Sequence, residues 1–159
     1  MSNKVAHMGM YIAIAMIFSY VEMLIPFNFG IPGMKLGLAN LIVVVVLYKM
    51  NYKDAYIVSI IRVVLVGMLF GNLASIAFSL SGCLLSLTIM CIMHKLDVLS
   101  ILGVSMIGAV FHNIGQILMA MLVVSSFSVV YYLPVLLVAG IITGLVIGII
   151  AREMLKRIK

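Results

Sequence analysis

Charged residues are scarce in this chain, and acidic ones are the scarcest. Its 159 residues contain four Asp and Glu, ten Lys and Arg, and no tryptophan. Only 9% of the residues are charged and 66% are hydrophobic, whereas a soluble domain is roughly a quarter charged and about half apolar. This composition excludes a water-soluble fold and predicts an all-α integral membrane protein.

The shortage of acids also excludes several kinds of catalysis. Asp54 and Asp97 fall in separate predicted loops, so there is no paired-carboxylate motif for Mg²⁺ and diphosphate. The sequence has no GxxxxGK[ST] phosphate loop and no readable Ser/His/Asp, Cys/His or HExxH arrangement. We therefore predict a chain that is not an enzyme and that has no metal or cofactor.

The two cysteines, Cys83 and Cys91, lie eight residues apart in one apolar run. This spacing fits neither a disulfide framework nor a metal site. They are interpreted as small buried apolar residues.

Breaks in the apolar pattern divide the chain into six segments within a single domain, 1–159. Spanning the hydrocarbon takes roughly 20 residues, and the second segment is short enough that five spans is the rival count. The predicted helices lie near 7–25, 36–50, 54–71, 73–94, 98–124 and 131–151.

The basic residues support six spans. With the N-terminus inside, the outer loops hold one basic residue, Lys35, and the inner loops hold eight: Lys4, Lys49, Lys53, Lys95, Arg152, Lys156, Arg157 and Lys159. Such a bias places both termini in the cytoplasm and predicts a multi-pass protein of a bacterial plasma membrane. It also explains the net charge of +6 by topology, without a nucleic-acid partner.

One stretch, PFNFGIPGMKLGLAN at 26–40, interrupts the hydrocarbon on the predicted outer face. Its prolines restrict the backbone and its glycines permit tight turns. Non-helical backbone at membrane depth must be buried in protein or line a cavity. We predict that it forms a lid and one wall of a site, the alternative being a simple helix connector.

Polar residues at membrane depth are costly and mark candidate functional sites. Most lie in the predicted outer half, which indicates a site open to the outside. The candidate substrate-binding residues are Glu22, Phe29, Lys35, Asn40, Arg62, Asn72, His112, Asn113 and Gln116.

Several of these candidates also have a structural explanation. Glu22 could pair with Lys35 or Arg62, and Arg62 could instead cap backbone carbonyls inside the bundle. Asn72 is placed to cap the fourth helix. His112 and Gln116 share a helix face, and we interpret the nearby Gly108 and Gly115 as leaving room for a cavity. A histidine satisfied by a neighbouring helix is the alternative.

Small residues recur four apart in two helices, a spacing that lets membrane helices approach closely. In the last helix, Gly140, Gly144 and Gly148 are expected to pack within the protein. In the first helix, Gly9 and Ala13 could instead contact a partner subunit.

Three motifs in order, IPGMKLGLAN, GNLASIAFSLSGCLLSLTIM and GAVFHNIGQ, resemble the Gx transporter family. Its members are often labelled heptaprenyl diphosphate synthase component I. That family in turn looks like the substrate-binding S components of energy-coupling-factor (ECF) transporters. The resemblance implies a six-helix membrane protein that binds a micronutrient from outside, with residues 26–35 helping to cover the site. It also implies partners, a transmembrane coupling subunit and ATPase subunits, the first of them contacted through Gly9 and Ala13.

Two functions follow as hypotheses. The first is an S component that imports a small micronutrient, or a compound related to isoprenoids, quinones or flavins. Lys35 and Arg62 would then bind an anionic group, and His112, Asn113, Gln116 and Asn40 would donate or accept oriented hydrogen bonds. The second is a non-catalytic membrane subunit that assists a heptaprenyl diphosphate synthase.

Overall fold

A computed structural model describes residues 2–24, 37–125 and 127–158. Within these ranges the chain is helical and contains no strand, which confirms the all-α class. Each of the six predicted segments corresponds to one α-helix, and a short 3₁₀ helix precedes the last. The helices are α1 (Ser2–Leu24), α2 (Leu38–Lys49), α3 (Tyr52–Phe70), α4 (Leu73–Leu96), α5 (Ile101–Val124) and α6 (Leu133–Arg157), with the 3₁₀ helix at Phe127–Tyr132.

From α3 to α6, each helix runs antiparallel to the next. Between α3 and α4, Ser59 is hydrogen-bonded to Cys83. Tyr56, which lies one turn earlier on α3, is hydrogen-bonded to Thr88, which lies later on α4. The same reversal relates α4 to α5 and α5 to α6. As a result, the start of α4 and the end of α3 lie at the same end of the bundle.

The helix α2 is the buried centre of the fold. It contacts α1, α3 and α6, and every residue from Leu41 to Leu47 is buried. A helix that is apolar on all sides is expected to be enclosed by others. The four consecutive valines at 43–46 therefore form core in every direction and present no separate lipid-facing stripe.

Four helical stretches are long and apolar enough to cross a membrane: Asn3–Leu24, Leu73–Leu96, Ile101–Val124 and Phe127–Arg157. The protein is thus a multi-pass membrane protein. Of the remaining two helices, α2 has 12 residues, a length of about 18 Å. The other, α3, carries Lys53, Asp54 and Arg62.

Glycines bring α4, α5 and α6 into backbone contact. A Cβ atom on Gly144 would lie 2.7 Å from the Met106 Cα, and one on Gly148 would lie 2.9 Å from the Leu102 Cα. Only a glycine allows such an approach, so the predicted packing of the α6 glycines within the protein is confirmed.

The interpretation of Gly108 and Gly115 as room for a cavity is wrong. A Cβ on Gly115 would lie 2.7 Å from the Ser81 carbonyl oxygen, and one on Gly108 would meet the Met90 side chain. Both glycines allow α4 to pack closely against α5, so they belong to a helix–helix interface.

The first helix, α1, packs against α2 and α3. Tyr11, Ala15 and Ser19 form its buried stripe. Gly9 and Ala13 lie on the exposed side, and a Cβ on Gly9 would have no atom within 4 Å.

Candidate functional site

A cavity of about 280 Å³ lies at the end of the bundle where α1 ends, α2 begins, α3 ends and α4 begins. Helices α1, α2, α3 and α4 supply most of its polar lining, and α5 contributes His112 from the middle of the helix. The lining residues are Ser19, Glu22, Met23, Gly37, Asn40, Arg62, Val63, Val66, Gly67, Phe70, Gly71, Ser75, Ser79 and His112.

Arg62 is the buried cation of this cavity. It exposes 9% of its surface and its Nη1 donates to the Ser19 Oγ at 3.3 Å. Ser19 in turn donates to the Ala15 carbonyl at 2.9 Å, so its hydroxyl is fixed as an acceptor for Arg62. The Arg62 Nε has no hydrogen-bond partner among the described residues.

A guanidinium carries five N–H donors in a planar fork that matches a carboxylate or a phosphate. Among the described residues, only one of these donors has an assigned hydrogen-bond partner. The charge is therefore fixed in position while donor capacity remains for an anion beside it.

Glu22 fastens the end of α1 to the start of α2. Its Oε1 accepts a hydrogen bond from the backbone N–H of Gly37, which precedes α2 in a left-handed conformation with φ 76°. That φ favours glycine. A carboxylate at this position also offsets the positive end of the helix dipole. Glu22 thus contacts a backbone amide and also interacts electrostatically with Arg62 across the cavity. The other predicted partner, Lys35, lies outside the described ranges.

Close packing of α4 against α5 positions His112. A Cβ on Gly82 would lie 2.7 Å from the His112 backbone oxygen and 3.1 Å from its Cε1. Gly82 therefore leaves the space that lets the imidazole reach the cavity between α4 and the neighbouring helices. Asn40, in the first turn of α2, completes the set of predicted residues that line the same cavity as Glu22, Arg62 and His112.

Three serines in the lining were not predicted. Ser75 and Ser79 lie four residues apart on one face of α4, and Ser19 precedes Glu22 by three residues on α1. The spacing of four in GNLASIAFS could have indicated a polar face. Serine hydroxyls are nevertheless common in membrane helices, where they often bond their own backbone, so the signal is weak.

Three predicted residues lie elsewhere. Asn72 caps α4, accepting from the Ser75 backbone N–H at 2.8 Å and from the Ser75 hydroxyl at 2.9 Å. This is the capping role that its position suggested.

The amide of Asn113 faces α6, where its Nδ2 donates to the Leu136 carbonyl at 2.6 Å. Gln116 packs against α4, since its Cγ would lie 2.9 Å from a Cβ on Gly82. Neither residue lines the cavity. Phe29, Lys35 and the predicted lid at 26–35 fall outside the described residues.

The cavity can hold a compact molecule that has an anionic group. Met23, Val63, Val66 and Phe70 supply an apolar wall, while the polar groups offer both donors and acceptors. Ligand pockets commonly measure about 300–1,000 Å³, so this one is at the small end. Among the described residues, no group of three or more His, Cys, Asp or Glu side chains could hold a metal ion.

The helices and this cavity define a class, a multi-pass membrane protein with a polar cavity at one end of its bundle. The model of one family, heptaprenyl diphosphate synthase component I, matches residues 11–154. The chain belongs to that family, which confirms the resemblance drawn from its three motifs. Comparison with curated proteins and with solved structures found no match.

Proposed function

We propose that this protein is the substrate-binding membrane subunit, or S component, of an ECF-type importer. It crosses the plasma membrane six times with both termini in the cytoplasm, and the cavity faces outside. Its substrate is a compact molecule with an anionic group, bound by Arg62 and oriented by Asn40 and His112. ATP hydrolysis takes place on partner subunits.

The observation that carries this proposal is the geometry of Arg62. A cation within a membrane helix is expensive and normally faces a partner or a water-filled cavity. Here it lies on a cavity wall, its one assigned bond is to a neutral hydroxyl, and Nε is left for another acceptor. Glu22 in the same lining acts electrostatically on this guanidinium, and an anionic ligand would supply acceptors for the donors, Nε among them, that have no assigned partner.

The size of the cavity narrows the substrate class. A volume of about 280 Å³ suits a micronutrient or a small isoprenoid or quinone precursor better than a full-length prenyl chain. Among the substrates considered from the sequence, the compact ones are therefore favoured.

The distribution of lysines supports the orientation. The end of the bundle opposite the cavity carries Lys49, Lys53 and Lys95 in the terminal turns of α2, α3 and α4. Lys4 lies at that end too, because it pairs with Asp54 in the first turn of α3 at 2.9 Å. Positive residues concentrate on the cytoplasmic side, which supports a cavity that opens to the outside.

The exposed side of α1 supports a role for a membrane partner. Gly9 and Ala13 are small exposed residues four apart, and a Cβ on Gly9 would have no atom within 4 Å. Small residues are the usual contacts between packed membrane helices. We assign this surface to the coupling subunit.

A second candidate function is a non-catalytic membrane subunit beside a heptaprenyl diphosphate synthase. The observation that favours it is the family's own description as component I of that synthase. The two functions differ in their stable partners, since one requires coupling and ATPase subunits and the other a prenyl synthase. Affinity purification from the native membrane, with the partners identified by mass spectrometry, distinguishes them.

The ligand test compares Arg62→Met with Arg152→Met. Both variants remove one positive charge, but Arg152 is a half-exposed residue near the end of α6. Small molecules extracted from purified wild-type protein are identified by mass spectrometry, and an anionic metabolite is expected in wild type and in Arg152→Met only. Equal retention by Arg62→Met would overturn the assignment of Arg62.

A second variant leaves Arg62 in place and fills the space in front of it. Val66→Trp adds a bulky ring to the cavity wall, so we expect loss of the same metabolite with helix content unchanged by circular dichroism. A fully loaded Val66→Trp protein would place the ligand elsewhere.

A further inference from the structure

A second concavity, here called the lysine groove, lies at the opposite end of the bundle from the cavity. It measures about 590 Å³ and lies between the end of α2, the start of α3 and the end of α4. Its lining residues are Leu47, Met50, Asn51, Tyr52, Tyr56, Thr88, Cys91, Ile92, His94 and Lys95.

Hydrogen bonding and ring contacts give the lysine groove a fixed shape. The Thr88 hydroxyl donates to the Leu84 carbonyl at 2.7 Å, so the Tyr56 hydroxyl, 2.8 Å away, is the donor to Thr88. Nearby, the rings of Tyr48 and His94 lie 4.3 Å apart. These contacts tie α4 to α3 and to α2 along the groove.

The polar side of the lysine groove is basic. Lys95 lines it directly together with His94, and Lys49 and Lys53 each adjoin a lining residue in the chain. Of the three acids at this end, Asp54 is buried and paired with Lys4, and Glu153 near the end of α6 pairs with Lys156 at 2.8 Å. Asp97 therefore offsets only part of the remaining charge.

The other side of the groove is apolar and continues onto the outer surface of the bundle. Leu47, Met50 and Cys91 form its wall, and Ile92 is 45% exposed beside them. The helix surface beyond carries further exposed apolar residues, among them Leu84 and Ile57. In a membrane, this side is covered by acyl chains.

We propose that the lysine groove binds one anionic phospholipid. Its headgroup phosphate lies at Lys95, and an acyl chain follows the wall formed by Leu47, Met50 and Ile92. Basic pockets between helix ends at the membrane surface attract anionic headgroups, and this groove joins such a charge to a lipid-facing apolar surface. The lipid is distinct from the transported substrate, because cavity and groove lie at opposite ends of the bundle.

The absence of tryptophan from the sequence allows a site-specific test. Full-length Ile92→Trp and Ile141→Trp proteins are reconstituted in nanodiscs of phosphatidylcholine that contain a minor share of acyl-brominated phosphatidylglycerol or acyl-brominated phosphatidylcholine. Ile141 is a matched control, because it is 43% exposed on α6, far along the chain from the groove. Comparing the two brominated lipids at one position removes the effect of membrane depth.

At Ile92→Trp, phosphatidylglycerol is expected to quench more strongly than phosphatidylcholine, and at Ile141→Trp the two should quench alike. One lysine near an anionic headgroup corresponds to roughly a fivefold enrichment. Adding Lys95→Gln to Ile92→Trp should therefore remove most of the difference, whereas adding Lys156→Gln should not.

Equal quenching by the two lipids at Ile92→Trp would overturn the proposal. So would an excess of phosphatidylglycerol quenching that is the same at Ile141→Trp, because that result indicates a general charge effect. A preference that survives Lys95→Gln would remove Lys95 from the site and refute the placement of the headgroup.

Discussion

The contact between α4 and α5 yields a quantitative prediction for Gly115→Ala. A Cβ at this position would lie 2.7 Å from the Ser81 carbonyl oxygen, 2.8 Å from the Gly82 Cα and 3.0 Å from the Gly82 N. Carbon atoms prefer separations of about 3.5–4.0 Å. All three neighbours are backbone atoms, so no side chain can rotate away and the helices must separate.

The expected magnitude is the difference between two effects. Overpacking costs about 1–3 kcal/mol, while replacing a helical glycine by alanine gains at most about 1 kcal/mol. Because all three contacts are with backbone atoms, the cost should lie in the upper part of this range, about 2–3 kcal/mol. After the gain of about 1 kcal/mol is subtracted, Gly115→Ala should lower the free energy of unfolding by about 1–2 kcal/mol. Gly9→Ala is the matched control: the same change meets open space, so only the gain remains.

The assay is reversible unfolding in mixed micelles, with SDS as denaturant and helix content followed by circular dichroism. Gly115→Ala is expected to unfold at lower SDS than wild type, and Gly9→Ala at the same or higher SDS. Wild-type stability of Gly115→Ala would refute the backbone contact between α4 and α5. Equal losses in the two variants would show that the glycines matter through some property other than packing.

Two further predictions concern asparagines that we expect to contribute to stability and not to ligand binding. Asn72→Ala should lower the free energy of unfolding by about 1 kcal/mol through loss of the cap on Ser75 and leave the metabolite content of the purified protein unchanged. Asn113→Leu should cost about 0.6 kcal/mol, the average for a hydrogen bond between membrane helices, because the bond to the Leu136 carbonyl is lost; metabolite content should again match wild type. Loss of the metabolite in either variant, with stability retained, would return that asparagine to the binding site.

Much of the fold was predictable because a segment that spans the membrane must satisfy its own backbone hydrogen bonds. Apolar runs of sufficient length must be helices, and the breaks between them placed six helices correctly. The ends were less certain: α1 begins at Ser2, ahead of the predicted start, and α2 begins at Leu38. Helix α2 is shortened by Gly37, whose left-handed backbone and contact with Glu22 precede its first turn.

The residue types of the candidate site were predictable from the sequence, but the direction in which each side chain points from its helix was less so. Glu22, Asn40, Arg62 and His112 line one cavity, since a polar group at membrane depth must face protein or water. Asn113 is one residue from His112, and on a helix that step turns its side chain by about 100° toward α6. Sequence spacing alone does not say which neighbouring helix lies in that direction.

The sequence by itself determined that this protein lives in a membrane, that it is helical, and which end of the bundle is basic. These properties follow from composition and from the order of apolar and charged residues, each read locally along the chain. Only the tertiary structure decided that Gly108 and Gly115 admit a neighbouring helix, that Glu22 holds the start of α2, and that Arg62 faces a cavity with an open donor. Those facts depend on which helix faces which, and that depends on close contacts between residues far apart in the chain.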